Sequence, residues 1–289
     1  MFTNLINHHI IGEKKETKYK PTNKGKSMER TIHLCFPARK GGVGKTMLAG
    51  NMAAYFANDG YRVLVVGTDS QEDITETYLA GTDFDIDNHH TLVEVLDGDI
   101  DIHDAIVKTP AFRKPRKKLQ SYSFDMLPGG PDINHYPSDN LFVLRDAMQA
   151  VESEYDFIIY DTCPSDSESS MYVLMTCDYA VVPVTNQASF KSYNSILGDM
   201  ELARECGSKI ECLGVVLNNM TRINLLDKRN EELFREMLGD TVFMNVVHRC
   251  TAVTNADAYN VPVCSFNEGE RFDDLYHLYL ELKKRMGVI

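Results

Sequence analysis

The stretch Arg39-Lys40-Gly41-Gly42-Val43-Gly44-Lys45-Thr46 decides the fold of this chain. It follows an apolar run at 31–37 and opens a helix-like stretch at 47–58. Strand, glycine loop and helix in that order form the setting of a phosphate-binding loop. Glycines let backbone N–H groups close around phosphate oxygens, and the helix start adds its positive dipole end. Lys45 is placed to reach β- and γ-phosphates, and the Thr46 hydroxyl to ligate Mg²⁺. The strict pattern has glycine at position 39; here Arg39 stands there, with a second lysine, Lys40, inside the loop.

The chain of 289 residues is long enough for one large α/β domain. Hydrophobic residues make up 43% and charged residues 25%, as in ordinary globular proteins. No apolar run reaches membrane-spanning length and no signal-peptide core appears, so a cytoplasmic protein is expected. Seven cysteines without a CxxC pair argue against a disulfide framework and are read mostly as small buried side chains. A net charge of −12 disfavours a chain coated in nucleic acid but allows a local basic patch.

Residues 1–29 read as a flexible, basic extension, with Met28 as a possible alternative start. Beyond them, short continuous apolar runs at 62–67, 123–127, 156–160, 180–184 and 213–217 read as buried parallel strands. Helix-like segments at 139–153, 169–176, 189–205, 225–238 and 268–286 lie between and after them. This alternation predicts an α/β fold over 30–289: one domain, a mostly parallel twisted sheet with helices on both faces.

Asp69 comes first off the second strand and can position water or bind Mg²⁺ through water, although a helix N-cap is an open alternative. Asp73 is expected to cap or bond locally. Asp161 ends the run 157–160, where a carboxylate holds the Mg²⁺ water shell beside a phosphate loop. Cys163, with no histidine–acid pair nearby, reads as a loop packer rather than a nucleophile. Asn218 follows the run 213–217; its amide suits an adenine edge, and asparagine also serves turns.

These motifs resemble the deviant Walker A ATPases, a family that includes the ParA partition ATPases, the MinD cell-division ATPases and the nitrogenase iron proteins. The resemblance runs in order through 30–289. Lys40 to Thr46 carry the signature; Asp69 matches the switch I aspartate; Asp161-Thr162-Cys163-Pro164-Ser165 matches switch II; Asn218 falls on the adenine-contacting position. The stretch 248–262, with Ala256 and Pro262, resembles the segment near the base. The resemblance implies ATP and Mg²⁺ as cofactors. Gly41, Gly42, Val43, Gly44 and Met47 would join Lys40, Lys45, Thr46 and Asn218 in binding ATP; Lys40, Lys45 and Asp69 would be catalytic. It implies a sandwich homodimer in which Lys40 reaches the partner's phosphates. Departures are Met47 for a second Thr or Ser, Gly67 for an acid, Ser70 and Cys163 for prolines, and Ala252 for an arginine many ParA proteins use on DNA.

The resemblance is strongest to ParA proteins of the Soj type, which partition plasmids or chromosomes, bind nonspecific DNA and answer to a ParB-like adaptor. Expected DNA contacts are Arg222 and Arg249, with a second candidate in the basic run 108–118 that holds Arg113, Lys114, Arg116, Lys117 and Lys118. A solvated surface loop is the competing reading of that run. An iron-protein reductase would need two cluster cysteines, and neither position expected to carry one has it. A MinD-like anchor would need an amphipathic C-terminus; Leu275, Leu278, Leu282 and Met286 form a stripe that also suits a docked last helix. Other branches of the family position other cargoes.

Overall fold

A computed structural model describes residues 28–85, 88–113, 121–164, 167–266 and 273–289. The strands are β1 Ile32–Cys35, β2 Val63–Thr68, β3 Val107–Lys108, β4 Phe112–Arg113, β5 Ser121–Tyr122, β6 Asp125–Leu127, β7 Phe157–Thr162, β8 Tyr179–Val184 and β9 Glu211–Leu217. Seven of them form one sheet in the order β3-β6-β2-β7-β1-β8-β9, parallel except for β3 at the edge. β1, β2 and β7 are buried along their whole length, which explains runs such as Val-Leu-Val-Val with no polar alternation.

The helices are α1 Lys45–Asn58, α2 Asp73–Leu79, α3 Leu92–Asp97, α4 Ile102–Ala105, α5 Val143–Met148, α6 Glu168–Thr176, α7 Gln187–Glu205, α8 Leu225–Leu238, α9 Thr251–Ala258, α10 Val263–Phe266 and α11 Asp273–Arg285. Two apolar cores lie on the two faces of the sheet. On one face Phe56 of α1 stacks on Phe157 of β7 at 3.9 Å between ring centroids. The last helix docks there too: Leu275, Leu278 and Leu282 are buried, and Lys283 pairs with Asp59 at 3.0 Å. The apolar stripe is therefore spent on packing. Among the described residues no helix is long and apolar enough to cross a membrane.

Several expected elements move. The segment read as a helix over 139–153 contains only the six residues of α5 and a 3₁₀ turn at Glu152–Glu154. Asn140 explains the late start: its Oδ1 accepts from Phe142 N at 2.9 Å, a local turn that competes with helix. α7 begins two residues early because Asn186 caps the N–H groups of Ala188 and Ser189. Residues 267–272 of the expected last helix lie outside the described residues, as do 1–27 of the expected extension. The cysteines are all free, yet only Cys35, Cys163 and Cys177 are buried, so the reading of most as core side chains is corrected. The basic run begins on β3 and β4, and the antiparallel partner of β4 is β5.

Register positions the site. Gly67 sits beside Asp161 and Thr68 beside Thr162, while Cys35 sits beside Tyr160. The loops after β1, β2 and β7 therefore leave the sheet side by side at its carboxyl edge, where ligands bind in open α/β sheets.

Candidate nucleotide site

The glycine loop has the backbone its sequence requires. Gly42 and Gly44 adopt φ 73° and 87°, a region that side chains rarely enter. A Cβ on Gly44 would lie 2.3 Å from Asn218 Nδ2. That amide donates to Val43 O at 2.7 Å, so the end of β9 braces the loop from below. Gly41 and Gly42 are exposed, Val43 is buried, and Lys45 opens α1.

Above the loop lies a cleft of about 830 Å³ lined by Gly41, Gly44, Lys45, Thr46, Asp69 and Asp73 among others. Lys45 is only 7% exposed. Burial lowers the pKa of its ammonium group, opposed by the charges of Asp161, Asp69 and Asp73. Asp161 is buried completely, and burial pushes its carboxyl up to about 7 against a hydrogen bond from Thr46 and the charge of Lys45. Its Oδ1 has no hydrogen-bond partner among the described residues. An orphaned carboxylate oxygen beside a threonine hydroxyl and a lysine fits a hydrated Mg²⁺ and a phosphate chain. Among the described residues no cluster of three or more His, Cys, Asp and Glu could hold a metal ion; an ion bound through water and phosphates needs none.

A second pocket of about 230 Å³ adjoins the first, lined by Gly44, Met47, Asn218, Asn219, Arg249 and Cys250 among others. Asn218 Oδ1 is buried there without a partner among the described residues, so the amide keeps one acceptor for a base edge while its N–H₂ holds the loop. Arg249 is exposed and borders this pocket. Arg222 is exposed and pairs with Asp274 at 3.3 Å. Arg113 is exposed on β4, whereas Lys114, Arg116, Lys117 and Lys118 lie outside the described residues. Ala252 is 3% exposed at the start of α9, so its small side chain is part of the packing.

The two residues that make the loop unusual point elsewhere. Arg39 forms a two-pronged ion pair with Asp199 of α7, with Nη2 at 2.7 Å from both oxygens. Lys40 does not line the cleft; its Nζ lies 3.4 Å from Asn186 Oδ1, the cap of α7. Asp69 stands on the cleft wall, with Oδ1 accepting from Gln71 N at 3.1 Å.

A family model described as an AAA domain matches residues 31–206. The chain belongs to this family, among the ParA/MinD-type P-loop ATPases. It is 27% identical over 255 residues to the cell division protein PomZ of Myxococcus xanthus, covering 81% of this chain and 75% of PomZ. It is 27% identical over 258 residues to the sporulation initiation inhibitor protein Soj of Bacillus subtilis, covering 86% of this chain and 95% of Soj. An ATP complex of a McdA variant from Cyanothece superposes with a TM-score of 0.73 at 15% identity, covering 89% of this chain and 96% of that one, a likeness of fold.

For a ParA/MinD-type chain, the loop after β2 holds the largest departure from expectation. Asp73 is no mere local cap: Glu72 occupies the cap position of α2, and Asp73 faces the cleft with Gln71. No periodicity in the sequence flags them, because 69–72 is a turn closed by Glu72 N donating to Asp69 O at 3.0 Å.

Proposed function

We propose that this chain is a Mg²⁺-dependent ATPase of the ParA type that partitions a plasmid, chromosome or similar DNA cargo. In this reading it works as an ATP-bound homodimer on nonspecific DNA and is stimulated by a ParB-like adaptor. The observation that carries the proposal is the division between the two lysines. Lys45 is buried in its own cleft among carboxylates, whereas Lys40 rests on the cap of α7 outside that cleft. One lysine thus serves the phosphates of its own chain, and the other is available to a second copy. Lys45 neutralises the phosphate chain, Lys40 of a partner meets charge developing in the transition state, and Asp69 orients the attacking water. Thr46 would hold Mg²⁺, with Asp161 and Asp69 acting through water; the ion would supply charge neutralisation at phosphate oxygens. Asn218 Oδ1 would accept from the adenine amino group.

Lys40→Ala tests the proposal. The variant is expected to bind ATP as the wild type does but to lose the ATP-dependent dimer in light scattering, with hydrolysis down about a hundredfold. Asp69→Ala is expected to dimerise and stall. A Lys40→Ala chain that dimerises and turns over normally removes the cross-subunit mechanism.

DNA affinity in this reading is electrostatic. Arg222 and Arg249 are exposed, as is Arg113 at the start of the basic run, so all three are open to a phosphate backbone. Reversing Arg113, Arg116 and Lys118 together is expected to weaken DNA retention and reduce the salt slope by roughly three. An unchanged slope removes the run from the DNA site.

A further inference from the structure

The loop Asp69–Asp73 contains a residue that is costly in two ways. Glu72 has φ 57°, a left-handed conformation that is strained for a residue other than glycine. Its carboxyl is also buried, with the residue 6% exposed and Oε2 without a hydrogen-bond partner among the described residues. Strain and an under-satisfied carboxyl in one residue, three positions from Asp69, call for a compensating role.

The loop alternates. Asp69, Gln71 and Asp73 line the cleft. Ser70 and Glu72 turn the other way, onto the turn that follows β6. Ser70 N donates to Asn134 Oδ1 at 3.1 Å, and Asn134 Nδ2 donates back to Ser70 Oγ at 2.7 Å. The Glu72 carboxyl lies close enough to the backbone N–H of Gly130 for that dipole to favour its charged form, against the larger effect of burial.

That turn is itself wedged in place. A Cβ on Gly129 would lie 2.6 Å from Gly67 O of β2, and one on Gly130 2.8 Å from Thr91 Oγ1. Leu92 N donates to Pro128 O at 2.7 Å, and Ile133 is buried in the core. Neither glycine can take a side chain without moving a neighbour, so the turn is a fixed support. The same turn explains Gly67, since a Cβ there would already stand 3.2 Å from Gly129 N.

We propose that Glu72 and Asn134 are positioning residues, a two-point clamp that holds the Asp69–Asp73 loop to the turn and thereby presents Asp69, Gln71 and Asp73 to the cleft. The αL conformation of Glu72 is the geometric requirement of the clamp: it lets residues 70 and 72 face the turn while 69, 71 and 73 face the cleft. The inference that the clamp aids hydrolysis rests on the proposed ATPase function; the clamp itself does not.

The experiment compares wild type, Glu72→Gln, Glu72→Gly and Asn134→Ala in two assays. Hydrogen exchange without nucleotide reads the clamp directly. Glu72→Gly and Asn134→Ala are expected to speed exchange across 69–76 by about tenfold, with β1 and β7 unchanged, whereas Glu72→Gln, which keeps an acceptor, stays within about twofold of wild type. Steady-state hydrolysis at a temperature well below every variant's Tm reads the consequence. Glu72→Gly and Asn134→Ala are expected to lower kcat about tenfold with KM for ATP nearly constant, because the loop positions chemistry rather than the phosphate chain. A purely structural role would lower Tm and leave kcat alone. Unchanged exchange across 69–76 in both disruptive variants overturns the clamp. Faster exchange with normal kcat overturns its role in positioning. A wild type that does not hydrolyse ATP overturns the parent function, while the exchange result still decides the clamp.

Discussion

Lys45→Ala is expected to weaken ATP binding by about a thousandfold, the largest functional effect of any single side chain in the site. The lysine is 7% exposed, and the carboxylates whose charges act on it most strongly are Asp161 and Asp69. Without it, a polyanionic phosphate chain would enter a cleft whose remaining charged groups are largely carboxylates, one of them fully buried. Truncating one member of a buried charge pair typically costs about 2–5 kcal/mol, and here the phosphates add further repulsion. Titration calorimetry with ATP and Mg²⁺ measures the effect, and circular dichroism checks that the variant is folded. A dissociation constant within threefold of wild type would show that the phosphates do not sit at the glycine loop. Lys40→Ala should leave this constant nearly unchanged, since Lys40 stands outside the cleft. The pair of variants therefore separates binding within one chain from completion by a second.

Local signals carried much of this architecture. The glycine loop needs particular residues at particular positions, so Gly42, Gly44, Lys45 and Thr46 were legible from spacing alone. Continuous apolar runs marked the central strands because a parallel sheet covered on both faces has no polar side. What escaped depends on contacts distant in sequence. Arg39 reads only as a departure from the strict glycine pattern, but it pairs with Asp199, 160 positions away. The role of Glu72 is invisible without Gly130, and that of Ser70 without Asn134. Residues 139–153 read as helical because nothing in periodicity reveals that Asn140 will spend its side chain on a turn. Gly67 is a departure from the family pattern until the close approach of Gly129 supplies its reason.

The second large effect concerns stability, at the opposite end of the sheet. Asp125 opens β6 and is 6% exposed. Burial pushes its carboxyl from 3.8 up to about 7, opposed by the hydrogen bond that Tyr155 OH donates to Oδ2 at 3.0 Å and reinforced by Glu154. Because the value in the folded chain lies above that in the unfolded chain, the folded chain holds this proton more tightly. The stabilisation is complete below pH about 4, falls as pH rises from there towards 7, and is lost above it. A rise of that size corresponds to at most about 4 kcal/mol for one buried group. Asp125→Asn keeps the acceptor for Tyr155 and removes the titration. Its urea midpoint is therefore expected to differ least from wild type near pH 4.5 and to exceed it increasingly up to pH 8. Tyr155→Phe should act in the opposite sense, since an ionised Asp125 would lose the hydroxyl that donates to it while still buried. Denaturation curves for wild type and Asp125→Asn that stay parallel from pH 4.5 to 8 would mean that the carboxyl is already solvated and charged. In that case the edge between β3 and β2 must admit water that the packing around Asp125 excludes.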